Sequence, residues 1–435
     1  MSPELVGFIG IIVLLAAMFL LRMPVGFAMA LVGFCGMAYV ISPQAALGMI
    51  GNQLWSTFSS YGLTVIPLFI LMGEICFHSN VNTNLYDAAY KWLGHIRGGL
   101  SMATIMACAG FAAICGSNTA TAATMSTVAL PEMKKYNYHP ALSTGSIACG
   151  STLGVVIPPS VVLVVYGIYT GQSIARLFFG SMVPGIILSI LFISTVYLVC
   201  IKHPDWGPTG PKFSWKDRIA AIPETLEMIV IFVLVMAGLY VGYYTPSEAG
   251  AAGAFAALVI SLIRRRLSWR GFVASIIDTL VISCFIIMIV TGAVIFGKFL
   301  AVTRLPYAAA EWASKLNAPP VLILSIIIIL YLIGGCVMDA LGLLLITIPI
   351  FYPVITNLGY DPIWFGVLIT IVTTMGAVTP PVGVSAYVVS GMAKDISLAT
   401  VFRGVIYFLP GYIVTIILLI AFPQLATYFA AIVRY

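Results

Sequence analysis

Charge is what this 435-residue sequence has least of. Only 8% of its residues are Asp, Glu, Lys or Arg, against 61% hydrophobic, and the mean hydropathy is +1.10. So few charges cannot cover a water-soluble surface, which argues against a soluble enzyme and for a polytopic α-helical membrane protein. Alternation of apolar and polar residues is missing too. The apolar runs are continuous, which excludes a transmembrane β-barrel. Histidine is sparse: His78, His95, His139 and His203 fall in loops or interfaces and show no ligand spacing. The eight cysteines are scattered through apolar segments without a Cys-x-x-Cys pair, so neither zinc nor a disulfide framework is indicated. Gly292-Ala-Val-Ile-Phe-Gly297-Lys298 has phosphate-loop spacing, but Phe299 stands where the hydroxyl is required. Catalytic activity and ATP coupling are therefore not expected. The net charge of +6 reflects positive loops and calls for no nucleic-acid partner. The first apolar run, Leu5–Leu21, has neither a basic leader nor a small-residue cleavage site, and reads as a span.

What the chain does have is long apolar runs interrupted in a particular way. Ser143–Tyr169 is long enough to cross a bilayer, yet contains Gly154-Val-Val-Ile-Pro-Pro-Ser160. Pro158 and Pro159 have no N–H, so the carbonyls of Gly154 and Val155 lose their helical partners, and Ile157 is pushed out of the α region. Unpaired backbone in hydrocarbon costs several kcal/mol per group, so such a break survives only beside protein or a polar cavity. Broken helices at mid-membrane offer carbonyls to cations and half-helix N-termini to anionic solutes. The same break recurs at Gly376-Ala-Val-Thr-Pro-Pro-Val382.

The two breaks are 222 residues apart, and the same shift maps Pro24 to Pro246, Thr57 to Thr279, Pro131 to Pro353, Tyr138 to Tyr360 and Pro140 to Pro362. The sequence therefore reads as two related halves, 1–203 and 224–435, joined by a Pro-, Gly-, Lys- and Trp-rich cytoplasmic linker, 204–223. In the first half, spans are expected at Leu5–Leu21, Val25–Ile41, Gly62–Phe77, the broken helix 143–169 and Leu177–Cys200. An amphipathic surface stretch, Asn82–His95, and a re-entrant hairpin, 99–132 with its tip at 116–119, lie between them. The second half repeats the plan: Glu227–Tyr243, Ala249–Ile263, Ala274–Gly297, a surface stretch Arg304–Leu316, a hairpin 319–352 with its tip near 334–339, a broken helix 363–392 and a span Val401–Ala421.

Five crossings per half force the halves to be inverted relative to each other. With the N-terminus outside, 15 of the 20 Lys and Arg residues fall on the cytoplasmic side, leaving Arg176, Lys298, Arg304, Lys315 and Arg434 outside. The hairpins then open from opposite sides, and their tips meet at mid-depth.

At the first tip, Ser117, Asn118, Thr119 and Thr121 face the freed carbonyls of Gly154 and Val155. At the second, Asp339 faces Thr379 and the carbonyls of Gly376 and Ala377. Hydroxyls, an amide oxygen and carbonyls form a hard-oxygen shell that suits Na⁺. Two similar but unequal cation sites follow, although back-bonding to the helix competes for each Ser and Thr hydroxyl. Asp339, the carboxylate placed deepest in the membrane, is a functional residue by position, serving a cation, a proton or the solute. A cation or solute role is favoured, since no second embedded acid or His continues a proton relay. Glu74, Glu248 and Asp278 read as interfacial.

These motifs, with Arg22-Met-Pro-Val-Gly26, Gly116-Ser-Asn-Thr-Ala-Thr121, Leu130-Pro-Glu-Met133, Tyr244-Thr-Pro-Ser-Glu-Ala-Gly250 and Gly376-Ala-Val-Thr-Pro-Pro-Val-Gly383, resemble the large membrane subunit (DctM type, M subunit) of a tripartite ATP-independent periplasmic (TRAP) transporter over nearly the full length. The resemblance implies an elevator-type fold of the ion-transporter superfamily in the bacterial inner membrane, carrying solute together with Na⁺. It implies a small four-span membrane subunit (Q type) and a periplasmic solute-binding protein (P type) as partners. It places one Na⁺ site at Ser117, Asn118, Gly154, Ile157 and Pro159, and another at Gly335, Asp339, Gly376, Thr379 and Pro381. The implied solutes are small organic anions, mostly carboxylates and sometimes sulfonates. The residues themselves say less of the anion. With no Arg or Lys in the hydrophobic middle, it would be held by hairpin N–H groups, the hydroxyls of Ser117, Thr121 and Ser385, and Na⁺ beside Asp339. Two other readings stay open: a stand-alone Na⁺- or H⁺-coupled organic-anion carrier, and a passive channel.

Overall fold

The computed structural model describes residues 2–79, 81–315 and 318–433, and for Asn82, Glu224 and Ser314 the backbone alone. Leu316 and Arg434, which enter the expected surface stretch and the outward charges, lie outside the described residues. Every regular element among the described residues is a helix, so the protein is an all-α polytopic membrane protein. Among the described residues, seven helices are long and apolar enough to cross a membrane, or nine if each of two bent pairs is one span. Ten crossings are expected from the sequence. Val25–Val40 is a helix of only 16 residues, ended where Ser42 caps the next helix. The second broken helix is split into Pro362–Gly376 and Val384–Met392, neither long enough to cross alone. Ala340–Asn357, expected as a hairpin arm, is by itself long enough.

Helix starts follow local chemistry. Ser2, Ser42, Ser117, Ser160, Ser173, Ser214, Thr245, Ser268 and Ser397 each cap a helix with a side-chain oxygen. Ser214 and Asp217 form a reciprocal capping box, so the helix Trp215–Val241 begins well before the expected linker end at 223 and runs on through Pro223. Thr245 and Glu248 form another, so Glu248 serves as a cap. A helix the sequence reading missed, Pro43–Phe58, precedes Val65–His78. Gly48, Gly51, Asn52 and Gln53 keep its hydropathy too low for a span.

Two packing groups emerge. Val25–Val40 packs along Trp269–Val302, and Val65–His78 packs between Pro246–Ile263 and Trp269–Val302. Glycines set the closeness of the first pair: a Cβ on Gly292 would lie 2.1 Å from the Gly26 carbonyl oxygen. The Glu227 carboxylate, buried, pairs with Arg264 at 2.7 Å and Arg266 at 3.3 Å, tying Trp215–Val241 to the end of Pro246–Ile263. The second group holds the helices that turn at 116–117 and 336–339, with the interrupted helices packed against them. Pro140–Thr170 is buried throughout its most apolar window and forms the centre of this group. Partners come from both halves: Pro140–Ser151 packs on Leu398–Ile406, and Pro362–Gly376 on Ile174–Lys202 as well as on Pro320–Gly335. A terminal helix, Gln424–Ile432, not expected from the sequence, lies against Ile174–Lys202, where Arg176 Nε donates to the Ala430 carbonyl at 3.1 Å.

Candidate functional site

The first turn is tight: Gly116 has φ +63°, Ser117 is extended, and Asn118 already begins the next helix. Ser117 caps that helix through Ala120 N, and its own carbonyl accepts the Thr121 hydroxyl at 2.6 Å. The first interruption lies directly beneath. A Cβ on Gly154 would stand 2.7 Å from the Ser117 carbonyl oxygen and 3.0 Å from Thr121 Oγ1, and one on Gly116 would stand 2.8 Å from the Pro159 carbonyl oxygen. Ile157 is extended, φ −78° and ψ 127°, and its side chain turns away to pack over Gly185. The Pro158–Pro159 and Pro380–Pro381 peptide bonds are both cis.

The second turn repeats the contact with different chemistry. Asp339 caps Ala340–Asn357, accepting from Leu341 N at 3.1 Å. Across the two arms, Thr347 Oγ1 lies 2.7 Å from the Tyr331 hydroxyl. Gly335 and Gly376 meet backbone to backbone, a Cβ on Gly376 falling 2.6 Å from the Gly335 carbonyl carbon. Cys336 O accepts from Val382 N and Gly383 N, joining turn to interruption. The carbonyls of Gly376 and Ala377, expected to be free, each accept one bond, from Thr379 N and Ser385 N, both at 2.9 Å. The chain folds back here and reaches them, so only a second lone pair on each remains for an ion. Thr379 Oγ1 donates to Met375 O at 2.6 Å, the helix back-bonding that competes with ligation. Ser385 Oγ is buried without a partner among the described residues, and Pro381 is exposed.

Both turns line one cavity of about 270 Å³. Cys115–Ala120 and Asp339–Leu341 enter it from the two hairpins, Val155, Val161, Val162 and Val384 from the interrupted helices. Ile70, Glu74, Ile282, Phe285 and Ile286 close it from the other packing group. Of the expected residues, Ser117, Asn118 and Asp339 reach the cavity. Gly154 and Thr121 pack behind the first turn, Pro159 lies against Gly116, and Gly335 and Gly376 meet at the second, while Thr379 and Ser385 stay within the second interruption and do not line the cavity.

The sequence profile of the family described as "Tripartite ATP-independent periplasmic transporter, DctM component" matches residues 12–425. The chain belongs to the DctM family. It is 31% identical over 376 residues to the "C4-dicarboxylate TRAP transporter large permease protein DctM" of Pseudomonas aeruginosa, covering 86% of this chain and 87% of that one. It is 31% identical over 379 residues to the "Isethionate TRAP transporter permease protein DctMQ" of Oleidesulfovibrio alaskensis, covering 86% of this chain and 60% of that one. Its fold is similar to that in the crystal structure of the Alcanivorax borkumensis YdaH transporter, with a TM-score of 0.65 at 13% identity, covering 88% of this chain and 90% of that one. The relatives are named as permeases, and this chain is the large (M) permease subunit of a TRAP transporter, not an enzyme.

In this TRAP permease the cavity's charge is one-sided. Asp339 and Glu74 line it, and no Lys or Arg does among the described residues. A cation is attracted there, whereas a free anion is repelled unless a cation accompanies it. Two helix N-termini, at Asn118 and Ala340, open onto the same space, each worth about half a positive charge to an anion. Asn118 Oδ1 accepts from Thr119 N at 3.0 Å, while its buried Nδ2 has no partner among the described residues. An unpaired buried donor at a helix N-terminus suits an anionic oxygen.

Glu74 is the wall residue that the sequence reading misplaced. Taken as interfacial, it faces the cavity, and His78, read as lacking ligand spacing, sits 3.9 Å from it and 3.0 Å from Asp278. Glu74 and His78 are one helical turn apart, a visible signal, but Asp278 is 200 residues away and only the fold brings it close.

Proposed function

We propose that this permease carries a small organic anion, a carboxylate or sulfonate, inward across the bacterial inner membrane together with Na⁺. The hairpin group moves as an elevator against the long-helix group. The observation that carries this reading is the shared cavity, where two helix N-termini and Asp339 face a wall built from the other packing group. Na⁺ sits in two sites, one at Ser117, Asn118, Gly154, Ile157 and Pro159, the other at Gly335, Asp339, Gly376, Thr379 and Pro381. The solute lies between them in the cavity against Ser117 and Asp339, with Thr121 and Ser385 just behind these turns, its charge offset by the ions and the helix ends. Matching helix limits at the 222-residue offset, such as Asn118–Lys135 and Ala340–Asn357, support descent from two repeats, and the distribution of Lys and Arg supports their inversion with the N-terminus in the periplasm. The relatives named for C4-dicarboxylate and isethionate support the solute class. The family description and the permease named DctMQ support a Q-type four-span subunit and a periplasmic binding protein as partners.

The test is uptake into proteoliposomes holding this chain and its small membrane subunit, with the binding protein outside and C4-dicarboxylate and isethionate as probes. Accumulation is expected only with an inward Na⁺ gradient. Ser117→Ala and Asp339→Ala are each expected to shift the Na⁺ titration to higher concentration by about tenfold, the loss of roughly one charge-assisted ligand. Accumulation without Na⁺ would overturn the coupling, and unshifted titrations in both variants would overturn the site assignment. Uptake by this chain alone would make it a stand-alone carrier.

A further inference from the structure

At the edge of the cavity wall, three metal-ligating side chains converge from two helices. Glu74 and His78 project from one face of Val65–His78, and Asp278 meets them from Trp269–Val302. His78 Nε2 lies 3.0 Å from Asp278 Oδ2 and 3.9 Å from Glu74 Oε2, and all three ligand atoms fall within 4.8 Å of one another. A tetrahedral ion with bonds of about 2.0–2.2 Å places its ligand atoms about 3.3–3.6 Å apart. The two distances bracket that spacing, so small side-chain rotations close the set around one ion.

The charges point the same way. Two carboxylates share a single imidazole, and neither is paired with a Lys or Arg among the described residues. Glu74 and the half-exposed Asp278 bring two like charges onto one imidazole at the edge of the bundle, and a divalent cation relieves their repulsion. One imidazole nitrogen with two carboxylate oxygens suits a borderline first-row cation, whereas Na⁺ and Mg²⁺ favour oxygen alone. The fourth position is left to water, and Glu74 itself borders the cavity.

We propose that Glu74, His78 and Asp278 bind one divalent first-row transition cation of the zinc class, stapling Val65–His78 to Trp269–Val302. These helices carry Ile70, Ile282, Phe285 and Ile286, so the ion fixes the spacing of the wall that the hairpin turns face. The site is separate from the hairpin Na⁺ sites and does not depend on transport.

The experiment uses the full-length chain, purified in detergent and stripped with a chelator. Zn²⁺ binding is followed by competition with a chromophoric chelator, and thermal unfolding is measured with Zn²⁺ or Mg²⁺. One Zn²⁺ per chain and a raised unfolding midpoint with Zn²⁺ alone are expected. His78→Ala and Asp278→Asn are each expected to weaken binding by about tenfold or more. Asp278→Asn replaces a half-exposed side chain by one of the same shape, so it keeps the test valid if His78→Ala does not fold. No saturable Zn²⁺ binding by the unaltered chain, or unchanged binding in the folded variants, overturns the proposal.

Discussion

Gly154 and Gly376 stand at corresponding places in the two halves and are hemmed in by the same kind of neighbour. In each case the atom a side chain would strike belongs to the backbone of the facing hairpin turn, at 2.7 Å for Gly154 and 2.6 Å for Gly376. A backbone atom cannot rotate aside, so a single methyl must push turn and interruption apart. Gly154→Ala and Gly376→Ala are each expected to destabilise by about 1–3 kcal/mol, as overpacking does, and to lower uptake more than Gly391→Ala. Gly391 has nothing within 4 Å and serves as the control. Unfolding midpoints and uptake rates measured together check this, and a silent Gly154→Ala would show that the contact is loose. The sequence announces these glycines through the Gly-x-x-x-Pro-Pro pattern, but it assigns them to freed carbonyls. Their service as places where another chain segment comes close is invisible there, because Ser117 and Gly335 lie far off along the chain.

The linker is the element whose role local sequence conceals. Its Pro and Gly content reads as a loose connector. In the structure it is strapped to the base of the first hairpin: Gly98 N donates to Gly207 O at 2.9 Å, His139 N to Trp206 O at 3.0 Å, and Tyr138 Oη to Pro208 O at 2.9 Å. The Trp206 ring stacks on His139 with centroids 4.0 Å apart and on His203 at 5.0 Å. His139 Nδ1 accepts from Ala141 N at 3.2 Å, which requires a neutral ring. Burial, with the neighbouring His203, holds the His139 imidazole below its usual 6.5. A depressed histidine contributes stability above the unfolded value, and that contribution is lost as pH falls through the folded one. Proteolysis within 207–214 is therefore expected to quicken as pH falls below about 6.5. His139→Asn keeps an acceptor for the helix start and does not titrate, so it is expected to flatten that pH dependence. An equal acceleration in the variant would place the sensitive group elsewhere. The missed helix Pro43–Phe58 has a related cause. In the other half the matching stretch is part of one 34-residue helix, Trp269–Val302, whereas here the helix ends at Phe58, and the polar faces of its residues defeat a hydropathy reading.

On the scale of the whole molecule, the 222-residue offset was legible because prolines and glycines hold their register where the backbone must bend or turn. The interleaving of the halves was not, since it depends on long-range packing such as Val25–Val40 along Trp269–Val302. That interleaving bears on mechanism. Ile70, Ile282 and Phe285 belong to helices packed tightly on each other, while Thr119 sits on the first hairpin turn across the cavity. If the hairpin group travels against the long helices, a bridge across the cavity must stop it, and a bridge within the wall must not. Thr119→Cys with Ile282→Cys, joined by a short bis-methanethiosulfonate reagent that forms a disulfide with each cysteine and releases methanesulfinate, is expected to abolish uptake, and reduction is expected to restore it. Ile70→Cys with Phe285→Cys, joined in the same way, is expected to leave uptake near its starting rate. Uptake that continues with the Thr119–Ile282 bridge in place would mean that the turn and the wall keep one spacing throughout the cycle. The solute would then have to pass between fixed walls, through gates at either end of the cavity.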